Sequence, residues 1–211
     1  MKWTTAFSKG RPDFRQNKIL QVYLLLFGLF WIYTVTHTTD LINWCIENTL
    51  TVLSLSVLAF TYKRFKFSDL SYSFIFLFTI MHVYGSQYTY AENPLGFRIQ
   101  ELLDLKRNHY DRIVHTSFGL LAWYPLFDFF RNHFQWPEWV CKVLPINLLL
   151  SFSALYEIVE WAVAEVFFPA QGMAYLGTQG DVWDGVKDMV LAFSGSVLGL
   201  TLFSLFRVKK R

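Results

Sequence analysis

Charge is scarce in this chain: only 17% of its 211 residues are Asp, Glu, Lys or Arg, against 54% that are apolar. A soluble domain of this size needs more surface charge, so that class is excluded. Cysteine is scarcer still, with only Cys45 and Cys141 present. The hydrolase and metal-site signatures are missing too. There is no His-Glu-x-x-His and no Gly-x-Ser-x-Gly, and Glu157 with Glu160 makes Glu-x-x-Glu rather than the Glu-x-x-His of di-iron bundles. A net charge of +3 gives no sign of a nucleic-acid partner, and no internal repeat or low-complexity tract is present.

What the chain does have is aromatic and aliphatic residues in long runs, including 22 Phe, 11 Tyr and 8 Trp. These predict an all-α fold, a polytopic transmembrane helix bundle forming a single integral membrane domain over 1–211. Its spans are expected at about 19–36, 41–62, 70–86, 112–130, 144–168 and 184–206. The first apolar run lacks a small-residue cleavage site and is expected to be kept as a helix. The third span is short for a bilayer. The 85–111 connection carries the Pro94-Leu-Gly turn signal and a modestly amphipathic piece with Ile99, Leu102 and Leu103, suited to the membrane surface.

Six spans put both termini on one side. That side and the loops sharing it hold fourteen of the nineteen Lys and Arg residues, so the positive-inside rule places the termini in the cytoplasm. Cys45 and Cys141 then fall near opposite faces, too far apart for a disulfide.

With this topology the polar residues gather at one depth. Glu157 and Glu160, three apart, share a helical face in an apolar segment, where each carboxylate costs on the order of 3 kcal/mol to bring to mid-bilayer. His82, Asp111, His115, Glu47, Asp181, Asp184 and Asp188 belong to the same outer half. Some have ordinary explanations. Asp181, Asp184 and Asp111 read equally well as helix caps or first-turn acids, and Tyr84, Tyr88, Tyr90 and Trp161 as an interfacial aromatic belt. Asp188 lies too deep in its helix to cap it, and neither capping nor exposure accounts for Glu157 and Glu160. These considerations predict a pocket with Glu157, Glu160 and Asp188 as catalytic groups. They also predict a divalent metal (Zn, Mn or Mg) among His82, His115, Glu157, Glu160, Asp184 and Asp188.

The stretches His82-Val-Tyr-Gly, Tyr110-Asp111-Arg112-Ile-Val-His115, Glu157-Ile-Val-Glu160-Trp161 and Gly180-Asp181-Val-Trp-Asp184 together resemble the YjdF-like family of bacterial inner-membrane proteins. The resemblance spans nearly the whole chain. It implies a multi-span protein of the bacterial inner membrane and supplies no catalytic roles. Three function classes stand open: a metal-dependent or acid/base hydrolase acting on a lipid-linked or periplasmic substrate, a proton- or cation-coupled transporter, and a structural or partner-binding membrane protein. Whether the chain is an enzyme is left undecided by its sequence. The expected surroundings are the lipid bilayer, with a homodimer through the small-residue pair Gly195 and Gly199 as a further expectation.

Overall fold

The computed structural model describes residues 11–167 and 178–208, and among these every regular element is helical. Six long helices and one short one follow in order: α1 Lys18–Thr36, α2 Leu41–Thr61, α3 Asp69–Ser86, α4 Pro94–Leu102, α5 Tyr110–Phe129, α6 Glu138–Ala162 and α7 Asp184–Val208. Wider π-helical turns, Phe130–Phe134 and Val163–Phe167, prolong α5 and α6. Local chemistry sets the starts. The side chains of Asn17, Asp40, Ser68 and Asn93 accept from the first free backbone N–H groups of α1 to α4, and Pro94 opens α4, where a missing N–H costs nothing.

Successive long helices run in opposite directions. One end of the bundle, here the terminal end, gathers the starts of α1, α3 and α6 with the ends of α2, α5 and α7. The other, the site end, holds α4 and the starts of α2, α5 and α7. A hydrogen bond from Thr39 N to the Gln87 carbonyl ties the first two turns of the site end together, and one from Ser68 N to Asp128 Oδ2 does the same at the terminal end.

α5 is the central helix, with α7, α3 and α6 packed around it. Its closest neighbour is α7, and glycine makes that approach possible. A Cβ on Gly119 would stand 1.9 Å from the Ala192 carbonyl oxygen, and one on Gly195 2.1 Å from that of Thr116. The small-residue face of α7, expected to meet a second copy of the chain, is buried against α5 instead. Gly199 follows the same seam, 3.0 Å by the same measure from the Leu120 carbonyl. Below the crossing lies an apolar core of Trp123, Phe127, Phe130, Cys141 and Leu149, with Trp123 and Phe127 stacked at 5.3 Å. Both cysteines are free thiols.

Among the described residues four helices are long and apolar enough to cross a membrane: α1, α2, α6 continued to Val166, and α7. α3 and α5 fall outside that group for a packing reason. Much of their surface meets other helices, so they carry the buried polar residues Ser71, His82, Ser86, His115 and Asp128. One boundary needs correction. α6 begins at Glu138 rather than 144, because Pro145 is accommodated inside the helix and does not start it. Trp123 Nε1 donates to the Lys142 carbonyl, next to the Cys141 carbonyl whose i+4 donor Pro145 lacks. Residues 168–177, including most of the Gly-rich connection, lie outside the described residues.

The amphipathic piece in the 85–111 connection is the helix α4. Its last residue Leu102 and the following Leu103 are 82% and 61% exposed.

Candidate functional site

At the site end the first turns of α5 and α7 and the last turns of α6 face each other. Asp111 and His115, four apart, lie one above the other on α5, and Asp184 and Asp188 do the same on α7. His115 Nε2 is 3.5 Å from Asp111 Oδ1 and 3.7 Å from Glu157 Oε1 of α6. One ligand atom each from Asp111, His115 and Asp188 lies within 4.8 Å of the others. Gly185 leaves room for this meeting, since a Cβ there would come 2.6 Å from Glu157 Oε2.

These separations exceed good hydrogen bonds, yet the groups are out of water. His115 is 9% exposed and Asp188 2%. Glu157 Oε1 and Asp188 Oδ1 are buried and have no hydrogen-bond donor among the described residues. A tetrahedral ion with bonds near 2.1 Å keeps its ligand atoms about 3.4 Å apart, close to the His115–Asp111 separation and less than the 4.8 Å within which all three ligand atoms lie.

The nearby arginines direct the hydrogen bonds of their terminal nitrogens next door rather than into the cluster. Arg107 grips Asp184 with both terminal nitrogens, at 2.6 and 3.1 Å, and Arg112 reaches Asp181 at 2.6 Å and Asp184 at 3.1 Å. Lys187 completes the lattice at 2.5 Å from Asp181. Asp181 stands ahead of α7, and its pairing with Lys187, with help from the Trp183 N–H and Arg112, holds its carboxyl down at about 2. Asp184 is thereby turned toward guanidinium groups rather than toward His115.

His82 is also committed elsewhere. The Tyr90 hydroxyl is 2.6 Å from its Nδ1, and its Nε2 lies 3.4 Å from the Glu47 carbonyl. A neutral ring donating from Nε2 and accepting at Nδ1 satisfies both contacts and keeps no lone pair for a metal. Glu160, one turn beyond Glu157, sits near Tyr156 and feels the charges of Glu157, Asp111 and Glu47. Tyr156 ties this second group together, donating to Glu47 Oε2 at 2.8 Å while its ring meets His115 edge-on at 5.9 Å.

The structure thus brings together His115, Glu157 and Asp188, with Glu160 alongside, and sets His82 and Asp184 apart in networks of their own. Asp111, which reads in sequence as a cap, is a member of the cluster, while the cap position falls to His109. Glu47 and Tyr156 are further participants. The spacing of Asp111 and His115, i and i+4, was the available signal for the first, and an acid in the outer half of an apolar helix for Glu47; nothing local marks Tyr156.

A family described as Predicted membrane protein (DUF2238) matches residues 19–209. Inner membrane protein YjdF of Escherichia coli (strain K12) is 34% identical over 194 residues, which cover 91% of this chain and 92% of that protein. No solved structure matches. The family match takes in all six long helices and every residue of the cluster, and the likeness to YjdF agrees with a protein of the inner membrane. This chain belongs to the DUF2238 family of predicted membrane proteins.

Proposed function

We propose that all six long helices cross the inner membrane with both termini in the cytoplasm, and that the cluster at the opposite, periplasmic end binds a divalent cation and hydrolyses a lipid-linked or periplasmic substrate. The orientation follows from the fourteen Lys and Arg residues on the terminal side against five on the other. The observation that carries the chemistry is the convergence of Asp111, His115 and Asp188 ligand atoms within 4.8 Å, beside buried carboxylate oxygens that lack donors. Three carboxylates, of Asp111, Glu157 and Asp188, meet one histidine there. A low-dielectric site holds three such acids either by sharing protons or by taking up a cation, and the oxygens without donors favour the cation.

Asp111, His115 and Asp188 are the ligands in this reading. The mixture of carboxylate and imidazole suits zinc, manganese or magnesium. Such an ion would act as a Lewis acid and make a water nucleophilic at neutral pH. Glu157, beside His115 but on a different helix, is placed to take a proton from the attacking water and return it to the leaving oxygen. Glu160 and Tyr156 hold Glu157's side of the cleft in position.

Transport is the weaker reading. About 20 Å of helix axis separates His115 from Asp128, the next buried ionisable group along α5, and Trp123, Phe127 and Leu149 fill the interval. The test is elemental analysis of protein purified without chelator, before and after titration with each of the three metals. About one ion per chain is expected in the wild type, with loss in Asp188→Asn and His115→Ala. A wild type that stays metal-free after titration would overturn the metal site and leave a proton-sharing acid network.

A further inference from the structure

α1 and α2 both pack on α3, but they do not run together along their whole length. At the site end they are pinned: Trp31 Nε1 donates to Asn48 Oδ1 at 2.8 Å, Trp44 Nε1 donates to Thr34 Oγ1 at 3.2 Å, and the two indoles lie 5.7 Å apart. Toward the terminal end they separate. The space between them is a cleft of about 440 Å³, walled by Leu24 and Phe27 of α1 and Leu55 and Ala59 of α2, and floored by Ile75 and Phe76 of α3. The volume is that of a small-molecule site, and the walls are hydrocarbon. Leu24 is 45% exposed, so the cleft opens sideways to the surroundings of the bundle.

The mouth has a different character. Phe14 and Tyr62, edge to face at 6.4 Å, mark where the cleft reaches the terminal end. Their chain neighbours are cations: Arg15 follows Phe14, Lys18 opens α1, and Lys63 and Arg64 follow Tyr62. All four are exposed, and none forms an ion pair among the described residues. The acids of this corner are already engaged. Asp13 pairs with Lys66, and Asp69 accepts from Asn17 at 2.9 Å.

An apolar slot ending in unpaired positive charge matches an amphiphile with a hydrocarbon tail and an anionic head. We infer that the cleft between α1, α2 and α3 is a binding site for an anionic phospholipid, with one acyl chain lying along Leu24, Leu55 and Ala59 and its phosphate held by Arg15, Lys63 and Arg64. The site is separate from the acid and histidine cluster and does not depend on what that cluster does. In the six-span orientation the lipid belongs to the cytoplasmic leaflet, the one whose anionic headgroups meet basic residues at helix ends.

The test is native mass spectrometry of the full chain in an uncharged detergent, titrated with dioleoylphosphatidylglycerol and with dioleoylphosphatidylcholine. The wild type is expected to bind the glycerol lipid at least about 25-fold more tightly. Each cation near the head contributes about fivefold, so Lys63→Gln with Arg64→Gln should lower phosphatidylglycerol affinity by about 25-fold and leave phosphatidylcholine unchanged. Ala59→Trp, which fills the slot from an exposed position, should weaken both lipids by about tenfold. Circular dichroism of both variants confirms that they are folded. Equal affinity for the two lipids in the wild type would overturn the charged mouth. Unchanged binding in Ala59→Trp would overturn the acyl slot, showing that the lipids adhere only to the basic surface.

Discussion

The two ends of the bundle each bury acids on α5, and they treat them in opposite ways. At the terminal end Asp128 accepts from Arg11 at 2.5 Å and Asn132 at 2.6 Å on one oxygen, and from the Ser68 N–H at 3.0 Å and Ser71 hydroxyl at 2.9 Å on the other. Every lone pair has a donor, as a structural acid requires. At the site end Asp111, Glu157 and Asp188 surround one histidine at distances too long for such bonds, and two of their buried oxygens have no donor. A shared helix with one satisfied acid and one unsatisfied cluster distinguishes a fastening from a site. The unfilled demand, rather than the presence of carboxylates, is what supports the proposed ligand.

The contrast is sharpest in stability. Asp128→Ala removes the common acceptor of four donors and leaves half-buried Arg11 without its carboxylate, so a loss of about 2–4 kcal/mol is expected, read as a fall in the thermal unfolding midpoint in detergent. A loss below about 1 kcal/mol would mean that the terminal end is not the fastening described. Next in size is the seam of the central helices. Gly195→Val drives a side chain into the Thr116 carbonyl, and about 1–3 kcal/mol of destabilisation is expected in the same assay, with no change in the monomer–dimer balance by light scattering.

The site end should respond in the other direction. Asp188→Asn removes one of several crowded acids, and the metal-free protein should gain up to about 1 kcal/mol while losing its ion. A variant less stable than wild type in the presence of chelator would put Asp188 with Asp128 as a structural group.

The smallest effect concerns Asp181, outside the helices. Its carboxyl is held at about 2 against an ordinary 3.8, chiefly by Lys187. A depressed pKa stabilises the folded state above the ordinary value, and that contribution fades as pH falls from about 4 toward 2. An NMR titration of the Asp181 carboxyl should therefore show its midpoint near 2, moving toward 3.8 in Lys187→Met.

Much of this arrangement is legible in the chain. The apolar runs give six long helices within a few residues, because hydrocarbon length and caps such as Asp40 and Ser68 are local properties. Helical periodicity likewise puts Glu157 with Glu160, and Asp184 with Asp188, on shared faces. What a local pattern cannot give is the residue opposite. Asp184 looks like a ligand until Arg107, 77 positions earlier in the chain, closes on it from a connection. His82 looks available until Tyr90, at the end of a turn, caps its ring nitrogen. Asp111 resembles a cap because it stands near a helix start, yet its carboxylate turns inward to the i+4 histidine. The start of α6 is hidden for a similar reason: Pro145 reads as a boundary, and only the packing of Trp123 against the preceding turn shows how the helix passes through it.

The glycine seam between α5 and α7 has a mechanical consequence. With backbone against backbone at Gly119 and Gly195, the two helices cannot slide or roll independently, so Asp111, His115 and Asp188 ride on a single stiff lever. Glu157 does not. It stands on α6, ahead of the Val163–Phe167 widening of that helix, and among the described residues its close approach to the pair is side chain to backbone, at Gly185, rather than backbone to backbone. A shift of α6 relative to that pair would bring one carboxylate toward or away from three groups that stay in register.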